Sequence, residues 1–314
     1  MKKILFGALI LALILALFYS LNKIERLRPQ TGKIKIITTL FPLYDFAKNI
    51  GQDKTEVTLL LPPGVEPHSF EPTPSDIANI NTADIFVFTG KFMEPWVAEI
   101  IKGSTNKNLL VVDDSNGVRL IDAVFHDSDE PAGASDPHIW LDFDNDRIMA
   151  KNILEALQTK DPSNETFYQN NFASFSSQLN NLDEKYQSYL STCQNKTLVY
   201  GGHYALGYLA KRYGLNYLAA QGLAPDAEPT AQDLIKLIEQ IKKNKIKYIF
   251  YEELTSPKIS ETLAQETRTK MLLLNAGHNL SKNDFLKGET FLSLMEKNLK
   301  NLKTGLDCSE IDPH

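Results

Sequence analysis

The chain has 314 residues, 43% of them hydrophobic and 23% charged, a balance that excludes a disordered protein and, at this length, predicts two globular domains. A formal net charge of −6, with no cluster of Lys and Arg, excludes a general nucleic-acid binder and leaves a cation or a protein as the partner.

At the N-terminus, MKK precedes the uncharged run ILFGALILALILALFYSL, residues 4–21, and the basic stretch NKIERLRPQTGK follows it. The run is long for a signal-peptide core and barely long enough for a hydrocarbon layer of about 30 Å. Export is the expectation. With no clear small-x-small cleavage site, and no cysteine behind the run to take a lipid, residues 1–32 are read as a signal peptide or membrane anchor plus a short linker.

From Lys33, KIKIITTL, TEVTLLL, ADIFVFTG and NLLVVDD read as strands rich in β-branched residues. Between the second and third, Thr73 can cap a helix, Pro74 suits its first position and Asp76 its first turn. This βαβ pattern predicts a largely parallel sheet covered by helices. Next, Tyr168, Phe172, Phe175, Leu179, Leu182, Tyr186 and Leu190 recur at spacings of three and four with no Gly or Pro between them. They predict a helix of about 26 residues, roughly 39 Å long, more than one small domain needs and suited to a stiff connector.

Beyond it the alternation resumes. KTLVYGG reads as a strand, HYALGYLAKRYG as a helix opened by His203 and ended by Gly214, and LNYLAAQ as a strand. Thr230 and Asp233 form a capping box before a helix and a strand at 247–251; SPKISETLAQETRTKMLLLNAG repeats helix then strand, and DFLKGETFLSLMEKNLKNLKTGL closes as one helix. The expected fold class is α/β: two similar lobes with parallel-rich sheets flanked by helices, residues 33–162 and 194–314, joined by a long connecting helix at 163–193.

Of six histidines, His68 follows the second strand in LLPPGVEPHSFEP, His138 lies in SDPHIWLD and His203 follows TLVYGG. Ligands in open α/β sheets collect beyond the carboxyl ends of strands, so these loops can converge. Taken singly, each histidine is also a turn or cap residue. Together, three neutral imidazoles suit zinc and leave one position for a carboxylate or water. No HExxH motif is present, so the donors come from distant loops. Two cysteines, Cys193 and Cys308, in an exported chain suggest a disulfide; two unrelated thiols are the alternative.

The ordered segments LLPPGVEPHSFEPTPSDIANINTADIFVFTGKFMEPW, DPHIWLDFDNDRIMAKNILEAL, GGHYALGYLAKRYGL and IKYIFYEELTSPKISETLAQE resemble those of the periplasmic zinc- and manganese-binding proteins of ABC importers, the ZnuA-like group of cluster A-I solute-binding proteins. The resemblance runs from about Lys33 to Leu306, with Phe143 where a Pro is usual. It implies that His68, His138 and His203 are metal ligands, with the metal site in the inter-lobe cleft. The fourth position, an Asp in manganese-type members, falls on Asn275, a poor ligand that points to zinc; His278, Glu252 or water are the other candidates. Where zinc-type members carry a long His- and acid-rich tract, this chain has only FHDSDEPAGASDPH, a solvated loop or a weak auxiliary site through His126, Asp127 and Asp129. Paired cysteines at the places of Cys193 and Cys308 also recur in the family.

Among other residues, Trp96 and Trp140 read as packing residues, Glu252 as a carboxylate holding a ligand imidazole, and Glu228 as a cap or cleft residue. Glu66 and Glu71 are left open as metal contacts. The resemblance implies an exported, non-enzymatic, monomeric protein, periplasmic or anchored on the outer side of the cytoplasmic membrane, that captures Zn(II) and hands it to an ABC permease. The long connecting helix resists wide hinge opening, so small lobe movement plus loop rearrangement is the expectation for release. A manganese binder of the same family, a zinc-dependent hydrolase and a surface adhesin are the alternatives.

Overall fold

A computed structural model describes residues 32–123, 134–223 and 229–310. The N-terminal apolar run, the loop with His126, Asp127 and Asp129, and Glu228 lie outside the described residues.

In the first sheet, β1 (Ile34–Thr38), β2 (Thr55–Leu59), β3 (Ile85–Phe88) and β4 (Leu110–Asp113) lie in the order β2-β1-β3-β4, every pair parallel. Their crossovers carry α1 (Phe41–Gly51), α2 (Pro74–Ile80) and α3 (Val97–Gly103). α1 and α3 are additions to the sequence reading. In α1, Leu43, Phe46, Ala47 and Ile50 form a buried stripe at helical spacing, but its N-cap is Leu40, which supplies no side-chain bond, so the usual start signal is missing. α2 begins on the expected Thr73 and Asp76 capping box.

The second sheet repeats the plan. β5 (Thr197–Tyr200), β6 (Asn216–Ala219), β7 (Tyr248–Tyr251) and β8 (Lys270–Leu273) lie in the order β6-β5-β7-β8, again all parallel. Between the sheets run α4 (Phe143–Lys160) and the 27-residue α5 (Glu165–Ser191), about 40 Å long at 1.5 Å per residue. α5 packs on α1 and α4 of the first lobe, where Asn171 donates to Ile50 O at 2.9 Å. It also packs on the closing helix α10 (Phe291–Gly305), where the Tyr186 hydroxyl donates to Met295 O at 2.6 Å. One continuous core includes Phe46, Phe175, Tyr186 and Phe291 and so reaches through both lobes.

The remaining helices are α6 (Gly207–Arg212), α7 (Ala231–Lys243), α8 (Lys258–Thr267) and α9 (Lys282–Leu286). Two readings are corrected. His203 does not open a helix: α6 starts at Gly207, because His203 O accepts from Ala205 N and from the Tyr217 hydroxyl while Tyr204 N donates to Gly222 O, bonds that hold a tight non-helical turn. The closing segment is two helices, since Gly288 takes φ +74° and Thr290 with Ser293 forms a new capping box for α10.

Cys193 and Cys308 form a disulfide, tying the end of α5 to the residues beyond α10 across a sequence separation of 115. At the lobe junction, Arg212 pairs with Asp142, Asp144 and Asp183, thereby joining α6 to α4 and α5.

Candidate metal centre

Three loops at the carboxyl ends of strands bring His68, His138 and His203 together. His68 follows β2 through a Pro-Gly turn in which Gly64 has φ +89°, and its backbone N–H donates to Glu66 Oε1 at 3.0 Å. His138 precedes a single 3-10 turn at Ile139–Leu141, and His203 follows β5. His138 and His203 are fully buried, whereas His68 is partly exposed.

The three rings point the same nitrogen inward. His68 Nε2 lies 3.2 Å from His138 Nε2, which lies 3.1 Å from His203 Nε2. A tetrahedral zinc with Zn–N bonds of 2.0–2.1 Å sets its donors about 3.3 Å apart, so the spacing fits that ion. Two of the outward nitrogens are held by carboxylates: His138 Nδ1 by Asp136 Oδ1 and His203 Nδ1 by Glu252 Oε2, each at 2.8 Å. This fixes the proton on Nδ1 and leaves the Nε2 lone pair for a cation. Two glycines make room for these carboxylates. A Cβ on Gly202 would lie 2.4 Å from Glu252 Oε2, and one on Gly207 would lie 2.5 Å from Asp136 Oδ2.

Electrostatics favour neutral, ligand-ready imidazoles at His68 and His138. Burial, and then the fields of neighbouring histidines, hold His68 and His138 well below the ordinary histidine pKa. Burial pulls His203 down as well, but the Glu252 carboxylate outweighs it and leaves His203 raised. Glu252 is lowered, because His203 more than offsets the burial that would raise it. Asp136 is pushed up to about 7 by burial.

The three residues considered for the fourth position separate clearly. Asn275 has its amide engaged elsewhere, its oxygen accepting from Gly277 N at 2.6 Å and its nitrogen donating to Glu253. Glu252 lies behind His203, with Oε1 buried and unbonded. His278 is 2% exposed, its ring centroid lies 5.8 Å from that of His203, and among the described residues neither ring nitrogen has a hydrogen-bond partner. Its Nε2 lies 3.9 Å from Glu66 Oε2. His203, Glu252 and His278 gather their donor atoms within 4.8 Å of one another, as do His68, His138 and His203. Glu66 thus touches the loops of both His68 and His278, a role its motif did not disclose.

Trp140 is a packing residue, as expected: its ring stands edge-on to His138 at 5.4 Å, and Nε1 donates to Ala276 O at 2.8 Å, bracing the loop of His278. Trp96 packs edge-on against Phe70, with ring centroids 6.2 Å apart.

Two parallel α/β lobes that close a set of convergent imidazoles between them define a bilobal cation-binding protein of the solute-receptor type. Comparison with known proteins agrees. The family described as "Zinc-uptake complex component A periplasmic", ZnuA, matches residues 36–305, and the chain belongs to this family. The high-affinity zinc uptake system protein ZnuA of Bacillus subtilis (strain 168) is 38% identical over 281 residues, covering 87% of this chain and 88% of that protein. The zinc-binding lipoprotein AdcA of Streptococcus pneumoniae (strain ATCC BAA-255 / R6) is 36% identical over 314 residues; the match spans 98% of this chain but 62% of that longer protein. The crystal structure of the Zn(II)-bound ZnuA-like domain of Streptococcus pneumoniae AdcA superposes with a TM-score of 0.76 at 36% identity, covering 88% of this chain and all of that domain.

Proposed function

We propose that this protein captures Zn(II) outside the cytoplasm with His68, His138 and His203 and delivers it to the permease of an ABC importer. The observation that carries the proposal is the convergence of three imidazoles, with His138 Nε2 3.2 Å from His68 Nε2 and 3.1 Å from His203 Nε2, and with two outer nitrogens anchored by carboxylates. Family membership supports the transport role. In this reading residues 33–162 and 194–314 act as the two lobes and 163–193 as their connector.

His278 is the fourth donor. Its burial beside His203, with neither ring nitrogen hydrogen-bonded among the described residues, supports this, since a buried imidazole without partners can offer its lone pair to a cation. Asp136 and Glu252 then balance the two positive charges of an ion held by neutral ligands. Four nitrogens favour zinc over manganese, which prefers oxygen donors. A closed four-nitrogen shell also lacks the open position that a hydrolytic zinc enzyme needs for water. The partly exposed His68 is the first donor an arriving ion meets.

Competition titration of the metal-free protein with a zinc chelator tests the proposal. His203→Ala should lose most of its zinc affinity while manganese competes poorly in the parent. A His203→Ala variant as tight as the parent would refute the site.

A further inference from the structure

Residues 121–123 and 134–136 run antiparallel at the neck of the loop that leads to His138. Ala123 N donates to Ala134 O at 3.0 Å, Asp122 pairs with Ser135, and Asp136 N donates to Ile121 O at 3.0 Å. A regular ladder would close the last pair with a second bond, from Ile121 N to Asp136 O. Here a side chain stands in that rung. The Tyr208 hydroxyl accepts from Ile121 N at 3.2 Å and donates to Asp136 O at 3.0 Å. Tyr208 belongs to α6 in the second lobe and is 2% exposed.

We propose that Tyr208 is a positioning residue for metal capture, a wedge from the second lobe that sets where Asp136 sits and therefore how His138 presents Nε2. Asp136 carries both bonds to His138, one to its backbone N–H at 2.9 Å and one to Nδ1 at 2.8 Å. The path from the hydroxyl to the ligand is therefore one residue long. Because α6 begins four residues after His203, the same short segment carries one ligand and steers another from the opposite lobe. Without the hydroxyl, the part-buried Ile121 N–H and the buried Asp136 C=O are either left unsatisfied or close on each other, and either outcome moves Asp136. Gly207 contributes from the same helix, since a side chain there would strike Asp136 Oδ2. The inference rests on the zinc reading of the triad.

The test uses the full chain with Tyr208→Phe, zinc as the probe and two readouts. Zinc affinity by chelator competition should fall about tenfold, the scale of outer-shell changes at metal sites. The 15N signals of the His138 ring in the metal-free protein should shift, reporting a changed hold on Nδ1. In an Asp136→Ala background, which removes the side chain that holds His138, Tyr208→Phe should cost little further, because its route is already cut. Unchanged affinity, or the same tenfold loss in the Asp136→Ala background, overturns the proposal. If Tyr208→Phe does not fold, 3-fluorotyrosine placed at 208 keeps ring and hydroxyl while strengthening donation to Asp136 O. His138 signals should then move, and signals that stay put overturn the proposal. His203→Ala separates the two levels: if it abolishes zinc binding while Tyr208→Phe changes nothing, only the positioning role fails.

Discussion

Replacing Glu252 by Gln removes one charge and keeps the shape of the group that holds His203 Nδ1 at 2.8 Å. A zinc ion on His203 Nε2 would sit roughly 6.5 Å from that carboxylate, taking a Zn–N bond of about 2 Å plus the ring. Two positive charges at that distance gain about 5 kcal/mol at an effective dielectric constant of 20. The proton that zinc displaces from His203 enjoys much of the same attraction, about 4 kcal/mol at roughly 4 Å. The difference, about 1 kcal/mol, corresponds to a loss of about fivefold to tenfold in affinity where His203 is protonated before binding. Because Glu252 raises the His203 pKa, proton competition fades as pH rises through that value. More of the zinc attraction is then expressed, and the gap between parent and Glu252→Gln should widen from pH 6 to 8.5. Isothermal titration in two buffers of different ionisation enthalpy gives affinity and proton release together. Equal affinities across this range, with identical proton release, would refute the reasoning.

Three further outcomes follow from the same geometry. His278→Ala should weaken zinc binding by about 100-fold, beyond the usual effect of an outer-shell residue, and narrow the preference for zinc over manganese in competition titrations; unchanged selectivity would remove His278 from the ligand set. Asp45 accepts from Phe291 N at 3.1 Å at the start of α10 and is pushed up from 3.8 to about 6 by burial, so the folded state binds its proton more tightly than the unfolded chain does. Its contribution is complete below about pH 4 and lost as pH rises toward 6; in urea unfolding with chelator, Asp45→Asn should gain about 3 kcal/mol on the parent between pH 4 and 7. Replacing Cys193 and Cys308 by Ser should cost about 4–5 kcal/mol in the loop-entropy account of so long a span, read as a lower denaturation midpoint with zinc stoichiometry unchanged.

Much of this molecule was legible in the chain. The described strands fell on the short apolar runs read as strands, β-branched in β1 to β5 and aromatic or leucine-containing in β6 to β8, and α5 was visible because its stripe from Tyr168 to Leu190 has no breaker. The His triad emerged from loop position together with family resemblance. α1 escaped because Leu40 offers no capping side chain, and the break before α10 because Gly288 sits inside an otherwise helical pattern. Supporting residues were legible to different degrees. Glu252 was read from its place at a strand end as a carboxylate holding a ligand imidazole, but its partner His203 lies 49 residues away and only the fold pairs them. Asp136 was not singled out although it lies two positions from His138, and Tyr208, 72 residues from Asp136, gives no local sign of its partner from a helix. His278 was a candidate by proximity to Asn275; the packing of its loop against Trp140 is what buries it beside His203.

X-ray absorption at the zinc edge of the loaded protein is the most direct test of the central claim. The account predicts a first shell of four nitrogen donors at 2.0–2.1 Å with outer-shell scattering from at least three imidazoles, lost together with binding in His203→Ala. A shell containing sulfur, or one with fewer than three imidazoles, would contradict it.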